Sequence, residues 1–306
     1  MFRVLTMQPY IVLTLLLILC LSFAGCTDRN APARSTYTVD SSGVLSLQCA
    51  PVTTSEGVLF ANETYTKSRI VLHTETGDVV TYLAAPDAPK AAVVYAPGAG
   101  EKLAGHEERM VRFTAAGFAF LFVDSRGNGG ETVGEPFSQQ LIQQDYSRFE
   151  SGEMPQYYMS LCDLISAQTV LTKKYQVPVY AMGSSNGGRY AAEAAGINSQ
   201  FAGYVGISTS DWGLRDSMLR QGLSGDPLRF ATSIEPGTYI GKISPRQAWM
   251  FHAQTDPIIP FASGQRLFEK AQEPKNFSEF SGEHGINPDA DTRILMQWAQ
   301  IYGTRE

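Results

Sequence analysis

A serine near the middle of the 306-residue chain lies in a turn of small residues. The segment Gly183–Gly188 is G-S-S-N-G-G and fits the pattern G-x-S-x-G around Ser185. That pattern presents the serine hydroxyl on a strained strand-to-helix turn, from which it attacks carbonyl carbons. The pattern alone is a weak signal, but here an apolar segment precedes it and a helical stretch follows it. We therefore predict Ser185 as a nucleophile, with an ordinary glycine-serine turn as the alternative.

A serine hydroxyl reacts when a base takes its proton and a third group orients that base. The sequence offers four histidines: His73, His106, His252 and His284. We predict His284 as the base, because it lies in a glycine-rich loop after the last predicted strand; a plain surface position is the alternative. His252 is expected in the core and His106 at a solvated helix start, with a place in the pocket wall as its alternative. His73 lies in an early strand, upstream of the serine turn.

The acid that orients the base is predicted at Asp256. This residue directly follows an apolar segment, and two nearby prolines stiffen its loop. The chain order Ser185, Asp256, His284 is the order found in one large class of serine hydrolases. Asp211, just after the preceding predicted strand, is the alternative acid.

The same chemistry needs two N–H donors aimed at the negative oxygen of a tetrahedral intermediate. We predict the backbone N–H groups of Ala99, in the turn Pro97–Gly100, and of Asn186, which follows the nucleophile. A dinucleotide-binding turn is not supported, because Leu103 occupies the place of its third glycine. We predict neither a cofactor nor a metal.

The segments that must position these groups alternate between short apolar runs and amphipathic stretches, which predicts a mostly parallel sheet of seven to eight strands covered by helices. The predicted strands are Ser68–Glu75, Asp78–Ala84, Ala91–Ala96, Phe118–Asp124, Val177–Met182, Gly203–Ser208, Gln247–Ala253 and Asn276–Ser281. The predicted helices are Glu101–Ala116, Gln156–Tyr175, Asn186–Ala195, Phe261–Gln272 and Pro288–Tyr302. We expect one domain over residues 41–306, with a short cap insertion at about 211–244.

Together these features resemble the α/β-hydrolase superfamily over roughly residues 68 to 302. The resemblance is carried by Gly183–Gly188, Pro97–Gly100, Asp124–Gly129, the strand end at Asp256-Pro257 and Gly282–Gly285. Within the superfamily the chain looks most like dienelactone-hydrolase-like and prolyl-oligopeptidase-like catalytic domains. Pro97 stands where many relatives have histidine, which we expect to alter the loop without removing the N–H donor.

The resemblance implies acyl transfer to water through an acyl-enzyme on Ser185, and it makes a small-molecule carboxylic ester the expected substrate. A peptidase, a thioesterase or an acyltransferase with the same three residues is the alternative. A non-catalytic surface binding protein of the same fold is a further alternative. We interpret Asp124 and Arg126 as scaffold for the turn after the fourth strand.

Four aromatic residues in the predicted insertions are candidates for a pocket wall: Phe137, Tyr146, Phe149 and Trp212. Simple packing is the alternative for each of them. The short cap predicts an accessible site and a small or medium-sized ester.

The N-terminus has the features of an export signal. Residues 1–25 contain an early Arg3, an apolar run and small residues directly before Cys26. The residues Phe23, Ala24, Gly25 and Cys26 resemble the site at which bacterial-type lipoproteins are cleaved and lipidated. We predict lipid on Cys26, a tether over residues 26–40 and an extracytoplasmic, membrane-anchored protein. Secretion and an uncleaved anchor are the alternatives.

The composition limits the class of binding partner. The cysteines outside the signal segment indicate whether the protein could work in an oxidising compartment. The formal net charge is −6, which argues against a nucleic-acid surface. Without the signal and Cys26, two cysteines remain, Cys49 and Cys162. In an oxidising compartment they could form a disulfide, and two separate buried thiols are the alternative.

Overall fold

A nine-stranded sheet forms the centre of the protein, of which the computed structural model describes residues 34–303. Its strands are β3 (Thr53–Ala61), β4 (Thr66–Thr74), β5 (Gly77–Ala85), β6 (Ala92–Ala96), β7 (Ala119–Val123), β8 (Val179–Ser184), β9 (Gly203–Ile207), β10 (Gln247–Ala253) and β11 (Lys275–Phe280). They lie in the order β11-β10-β9-β8-β6-β7-β5-β4-β3. A separate two-stranded sheet pairs β1 (Thr36–Val39) with β2 (Leu45–Gln48).

The strands from β6 to β11 are parallel to one another, whereas β3, β4 and β5 are antiparallel to their neighbours. Strands β6 and β7 are apolar and buried along their whole length, which is typical of parallel strands covered on both faces. The carboxyl ends of the parallel strands meet at one edge of the sheet, where ligands bind in open α/β sheets. The loops after β6, β8, β9, β10 and β11 therefore share one edge.

Helices cover both faces of the sheet. They are α1 (Glu107–Ala115), α2 (Gln139–Ser151), α3 (Gln156–Tyr175), α4 (Ser185–Ile197), α5 (Leu214–Arg220), α6 (Asp226–Ser233), α7 (Phe261–Lys270) and α8 (Pro288–Tyr302). One apolar cluster contains buried residues of α3, α4 and α7, and a second contains those of α1 and α8. A buried ion pair, Arg109 Nε to Asp291 Oδ1 at 2.8 Å, joins α1 to α8. The predicted α/β architecture is thus confirmed.

The sheet has more strands than the sequence predicted, because β3 escaped prediction. Every residue of Thr53–Ala61 is exposed, so this edge strand shows none of the apolar alternation that marks a half-buried strand. Strand β1 lies within the predicted tether, and the structure corrects that boundary. Val39 of β1 and Leu45 of β2 are both buried in the apolar core. In the described part of the chain, regular structure therefore begins at Thr36, five residues before the expected start of the domain at residue 41.

The segment predicted as a short cap divides into two parts. Helix α5 contributes no buried residue, which suits a cap. In contrast, a group of apolar side chains after it joins the core that contains α4: Phe230, Ile234, Tyr239, Ile240 and Ile243. The second half of the segment is therefore part of the domain core, whereas the first half contributes to it only the partly buried side chains of Trp212 and Leu214.

A disulfide joins Cys49 to Cys162 and so links the connection between β2 and β3 to α3. The structure thereby decides between the two alternatives left open for these cysteines. The predicted signal and the predicted lipidation site at Cys26 lie outside the described residues. Within residues 34–303, no helix is both long and apolar enough to span a bilayer.

Candidate active site

Ser185 is the first residue of α4 and follows β8 without an intervening loop. Its φ is +50°, an uncommon backbone conformation for a residue with a side chain. Two neighbouring positions accept only glycine, because a Cβ at Gly183 would lie 2.3 Å from the carbonyl oxygen of Gly187, and one at Gly187 would lie 2.0 Å from that of Ala96. Glycine at these positions thus permits the strained turn that presents the Ser185 side chain.

Asp256 and His284 are brought together although 28 residues separate them. Nδ1 of His284 lies 2.8 Å from Oδ2 and 3.0 Å from Oδ1 of Asp256. The backbone N–H groups of Ile258 and Ile259 donate to Oδ1 at 2.9 and 2.8 Å. Burial alone would raise the pKa of Asp256, but these hydrogen bonds and His284 together hold that pKa below its usual value. The carboxylate is therefore ionised at neutral pH and fixes the imidazole through Nδ1.

The loop that carries His284 lies next to the segment that supports Ser185. Ser208, at the end of β9, donates its hydroxyl to the carbonyl oxygen of Gly285 at 3.4 Å. The next residue, Thr209, donates to the carbonyl oxygen of Ser185 at 2.8 Å. Among the described residues, no hydrogen bond joins the Ser185 hydroxyl directly to His284; in free hydrolases such bonds are often long and tighten when substrate binds.

The turn Pro97–Gly100 after β6 leaves one peptide donor free. The N–H of Gly98 donates to Glu101 Oε2 at 2.8 Å, that of Gly100 to Asn128 Oδ1 at 3.3 Å, and that of Glu101 to the Gly98 carbonyl at 3.1 Å. The N–H of Ala99 has no partner in the described part of the chain, and Ala99 is exposed.

The second predicted donor is at the start of α4. Asn186 is buried in the first turn of that helix. There backbone N–H groups lack partners within the helix and the helix dipole favours negative charge. Both predicted donors are thus in turns at the same edge of the sheet as Ser185.

The remaining three histidines make no hydrogen bond to Ser185 in the described part of the chain. His252 is buried in β10, as predicted, and its Nε2 lies 2.9 Å from the carbonyl oxygen of Ile259. His73 is on the exposed hairpin and contacts Asp78. The expectation for His106 was wrong: its side chain is not solvated but packs between the rings of Tyr95 and Phe122, at centroid distances of 5.0 Å.

Asp211 has a structural environment of its own. It contacts Lys270 Nζ at 2.5 Å and accepts from the Gly237 N–H at 2.6 Å. It makes no hydrogen bond to His284 in the described part of the chain, which leaves Asp256 as the acid that contacts this imidazole. Within residues 34–303, no group of three or more His, Cys, Asp or Glu side chains is arranged to hold a metal ion.

The segment after β7 has the scaffold role predicted for it. Asp124 accepts from the Thr132 N–H at 2.8 Å, and Arg126 forms a buried ion pair with Asp163 at 2.7 Å. Asn128 was not singled out by the sequence, yet its Nδ2 donates to the carbonyl oxygen of Gly98 at 2.9 Å. The sequence predicts Glu101 as the start of a helix, whereas in the structure the helix begins at Glu107 and the Glu101 side chain contacts the same turn. The signal that would have revealed both is a polar residue next to a turn of small residues.

The aromatic candidates separate into two groups. Trp212 stacks on Phe137 with ring centroids 4.5 Å apart, and the guanidinium carbon of Arg189 lies 3.7 Å from the Trp212 ring centre. In contrast, Tyr146 and Phe149 pack against Phe230 in the core. Arg189 is one helical turn after Ser185 and donates to the Ser210 carbonyl at 2.9 Å. Trp212 is therefore the candidate that is linked, through Arg189, to the helix that begins at Ser185.

Comparison with known proteins agrees with this architecture. Residues 87–219 match a family model described as serine aminopeptidase, S33. Among solved structures, the chain is similar to an acetyl xylan esterase from a Paenibacillus species, with 15% identity, a TM-score of 0.66, and coverage of 82% of this chain and 89% of the other. It is also similar to a glucuronoyl esterase from Solibacter usitatus, with 12% identity, a TM-score of 0.57, and coverage of 86% and 88%. No curated protein sequence matches.

These likenesses define the class of fold. The chain has the α/β-hydrolase fold, as its sequence resemblance predicted. The matched family and the similar structures are named as hydrolytic enzymes, and the structures among them as esterases.

Proposed function

We propose that the protein is a serine hydrolase that cleaves carboxylic esters. The observation that carries this proposal is the bond between Asp256 and His284 Nδ1, which leaves Nε2 free to act as a base toward Ser185. The strained turn at Ser185 and the free N–H of Ala99 at the same sheet edge add support. An ester substrate is favoured because the similar solved structures are esterases.

The proposed reaction has two halves. Ser185 Oγ attacks the ester carbonyl carbon while His284 Nε2 takes the hydroxyl proton, and the oxygen that becomes negative accepts from the Ala99 and Asn186 N–H groups. The intermediate collapses, the alcohol leaves with the proton from His284, and the acyl group stays on Ser185. Water then attacks the acyl-enzyme with His284 as base, which releases the acid. Asp256 stays ionised throughout and stabilises the imidazolium.

Replacement of the nucleophile tests the proposal. The wild-type protein should hydrolyse p-nitrophenyl acetate, and Ser185→Ala should lower kcat/KM about 10,000-fold or more. Ser147→Ala, at an exposed position of α2, should retain full activity. A fluorophosphonate probe should label the wild-type protein and not Ser185→Ala. Full turnover in Ser185→Ala would refute the proposal, and a wild-type protein that neither turns over esters nor takes the probe would favour the non-catalytic alternative.

The matched family model makes a peptidase the second candidate, because its description names a serine aminopeptidase. The same three residues also serve thioesterases and acyltransferases. A panel of p-nitrophenyl esters, aminoacyl-p-nitroanilides and acyl thioesters on one enzyme preparation separates these classes by kcat/KM. Turnover of the anilides at rates above those of the esters would favour the peptidase.

We further propose that the enzyme works outside the cytoplasm and is held at a membrane by lipid on Cys26. The disulfide between Cys49 and Cys162 supports an oxidising compartment, since such bonds are rare in reducing cytosol. Cys26→Ala should shift the protein from the membrane fraction to the soluble fraction if lipid is the anchor. Retention of this variant in the membrane would favour an uncleaved segment instead.

A further inference from the structure

One carboxylate contacts both turns of the candidate site. Glu101 Oε2 accepts from the Gly98 N–H at 2.8 Å, in the turn after β6, and from the Ser184 hydroxyl at 3.1 Å, next to the nucleophile. The peptide N–H of Glu101 donates back to the Gly98 carbonyl at 3.1 Å. Glu101 thus ties the loop that holds the Ala99 donor to the strand end that leads into Ser185.

Two buried side chains, His106 and Tyr95, also contact this carboxylate. His106 Nε2 lies 3.3 Å from Glu101 Oε2, and the His106 ring is buried. The Tyr95 hydroxyl donates to Ser184 at 2.9 Å and lies 3.5 Å from Glu101. Burial would raise the pKa of Glu101, but the bonds from His106 and the Gly98 N–H outweigh burial and lower it. Glu101 is therefore an ionised acceptor surrounded by donors.

The opposite side of the same turn is fixed by Asn128. Its amide donates to the carbonyl oxygens of Gly98 at 2.9 Å and Glu101 at 3.3 Å, and it accepts from Gly100 at 3.3 Å. These contacts occupy the peptide groups on both sides of Ala99. The Ala99 N–H is left over as the free donor, and its direction is set by bonds made by its neighbours.

The turn is also in close contact with the nucleophile. A Cβ at Gly98 would lie 3.3 Å from Cβ of Ser185 and 2.8 Å from Glu101 Oε1. A Cβ at Gly285, next to His284, would lie 3.8 Å from the same Oε1. The Glu101 carboxylate is therefore adjacent to three of the four loops that carry the candidate groups, those of Ala99, Ser185 and His284.

We propose that Glu101 is a positioning residue that orients the Ala99 N–H toward the tetrahedral intermediate formed on Ser185. This inference rests on the proposed serine hydrolase function. A donor aimed at the negative oxygen stabilises the transition state more than bound substrate, so its misalignment lowers kcat and leaves KM nearly unchanged. Glu101 acts through the turn and makes no contact with substrate in this role.

The test compares Glu101→Ala and Glu101→Gln with the wild-type full chain. With p-nitrophenyl acetate, Glu101→Ala should lower kcat about 10- to 100-fold, below the effect of deleting a donor outright, with KM changed less than about threefold. Glu101→Gln keeps one oxygen acceptor for the Gly98 N–H and should lose less. Glu107→Gln is the matched control: it breaks the ion pair with Lys67 and touches neither turn.

The Ki of a transition-state analogue distinguishes a positioning role of Glu101 from a merely structural one. A trifluoromethyl ketone adds to Ser185 and forms an oxyanion, so its Ki should rise in each Glu101 variant by the factor by which kcat/KM falls. Thermal unfolding of Glu101→Gln should show a folded protein. Three results would each overturn the inference. They are a kcat of Glu101→Ala equal to that of the wild type, a higher activity in either Glu101 variant, and a Ki that stays constant while kcat falls. Absence of turnover and probe labelling in the wild-type protein would instead refute the proposed function, and the inference with it.

Discussion

His252 Nε2 lies 3.4 Å from Asp256 Oδ2, and both side chains are fully buried. The same nitrogen lies 2.9 Å from the carbonyl oxygen of Ile259, and the Ile259 N–H donates to the carboxylate at 2.8 Å. Burial outweighs these contacts and lowers the pKa of His252, so the imidazole is neutral at neutral pH and donates to Ile259. His252 therefore fixes the loop that holds Asp256 against His284.

Loss of this imidazole should weaken both stability and turnover. We expect His252→Leu to lower the free energy of unfolding by about 1–3 kcal/mol, because the Ile259 carbonyl is left without its donor. Turnover of p-nitrophenyl acetate should fall as well, since the Asp256 loop loses a contact. Urea unfolding and steady-state kinetics measure the two effects, with His73→Leu on the exposed hairpin as control. Equal effects from both substitutions would show that the buried contact has no special role.

Sequence alone located the candidate groups because each belongs to a short local pattern. Ser185 lies in a glycine-rich turn, Asp256 directly follows an apolar strand, and His284 lies in a glycine-rich loop after the last strand. The parallel order of β8, β10 and β11 then brings the three loops to one edge. Local sequence patterns and strand order together are therefore sufficient to predict that the loops of these three candidate residues share one edge of the sheet.

The features that escaped prediction depend on contacts distant in sequence. His106 looked like a solvated helix start, and only the folded chain places aromatic rings of β6 and β7 on both sides of it. Glu101 is near the Pro97–Gly100 turn in sequence, but its bond to Ser184 spans 83 residues. Strand β3 has no buried face to produce a pattern. The contacts that define the environments of His106 and Glu101 are therefore not visible in the local sequence.

A second buried acid, Glu193 in α4, makes stability depend on pH. Burial raises the pKa of Glu193 well above its usual value, and although the Tyr157 hydroxyl donates to Oε1 at 2.6 Å, Oε2 has no partner among the described residues. The folded protein therefore keeps this group protonated to a higher pH than the unfolded chain, which ionises it above about pH 4.3. Folding must then retain a proton that the unfolded chain releases, so stability is lost as pH rises from that value toward the folded pKa.

Glu193→Gln should remove this penalty. Glutamine has the shape of the protonated acid, so we expect the variant to gain stability over wild type as pH rises from 5 to 8 and to differ least near pH 4. Urea unfolding at several pH values measures the difference, and Glu108→Gln, at an exposed position of α1, should show no such trend. A constant difference across the range would mean that Glu193 is ionised in the folded protein.

The disulfide between Cys49 and Cys162 should contribute strongly to stability, because it closes a long loop between residues separated by 113 positions. We expect its removal in Cys49→Ala/Cys162→Ala to lower the free energy of unfolding by about 2–5 kcal/mol. A reducing agent should lower the urea midpoint of the wild-type protein and leave that of the double variant unchanged. Equal sensitivity of both proteins to the reductant would show that it does not destabilise the protein through this disulfide.

The Trp212 stack should control which acyl groups are accepted. Trp212 packs between Phe137 and Arg189, donates its indole N–H to Tyr157 at 3.2 Å, and follows Thr209, which holds the Ser185 carbonyl. Trp212→Ala should open space beside Ser185, so that the ratio of kcat/KM for p-nitrophenyl hexanoate over the acetate rises about tenfold or more. Tyr146→Ala removes an aromatic ring of α2 that packs against Phe230, and it should leave the ratio unchanged. A proportional loss for both esters in Trp212→Ala would instead assign the stack a purely structural role, because a pocket wall changes the ratio and a general support changes both rates together.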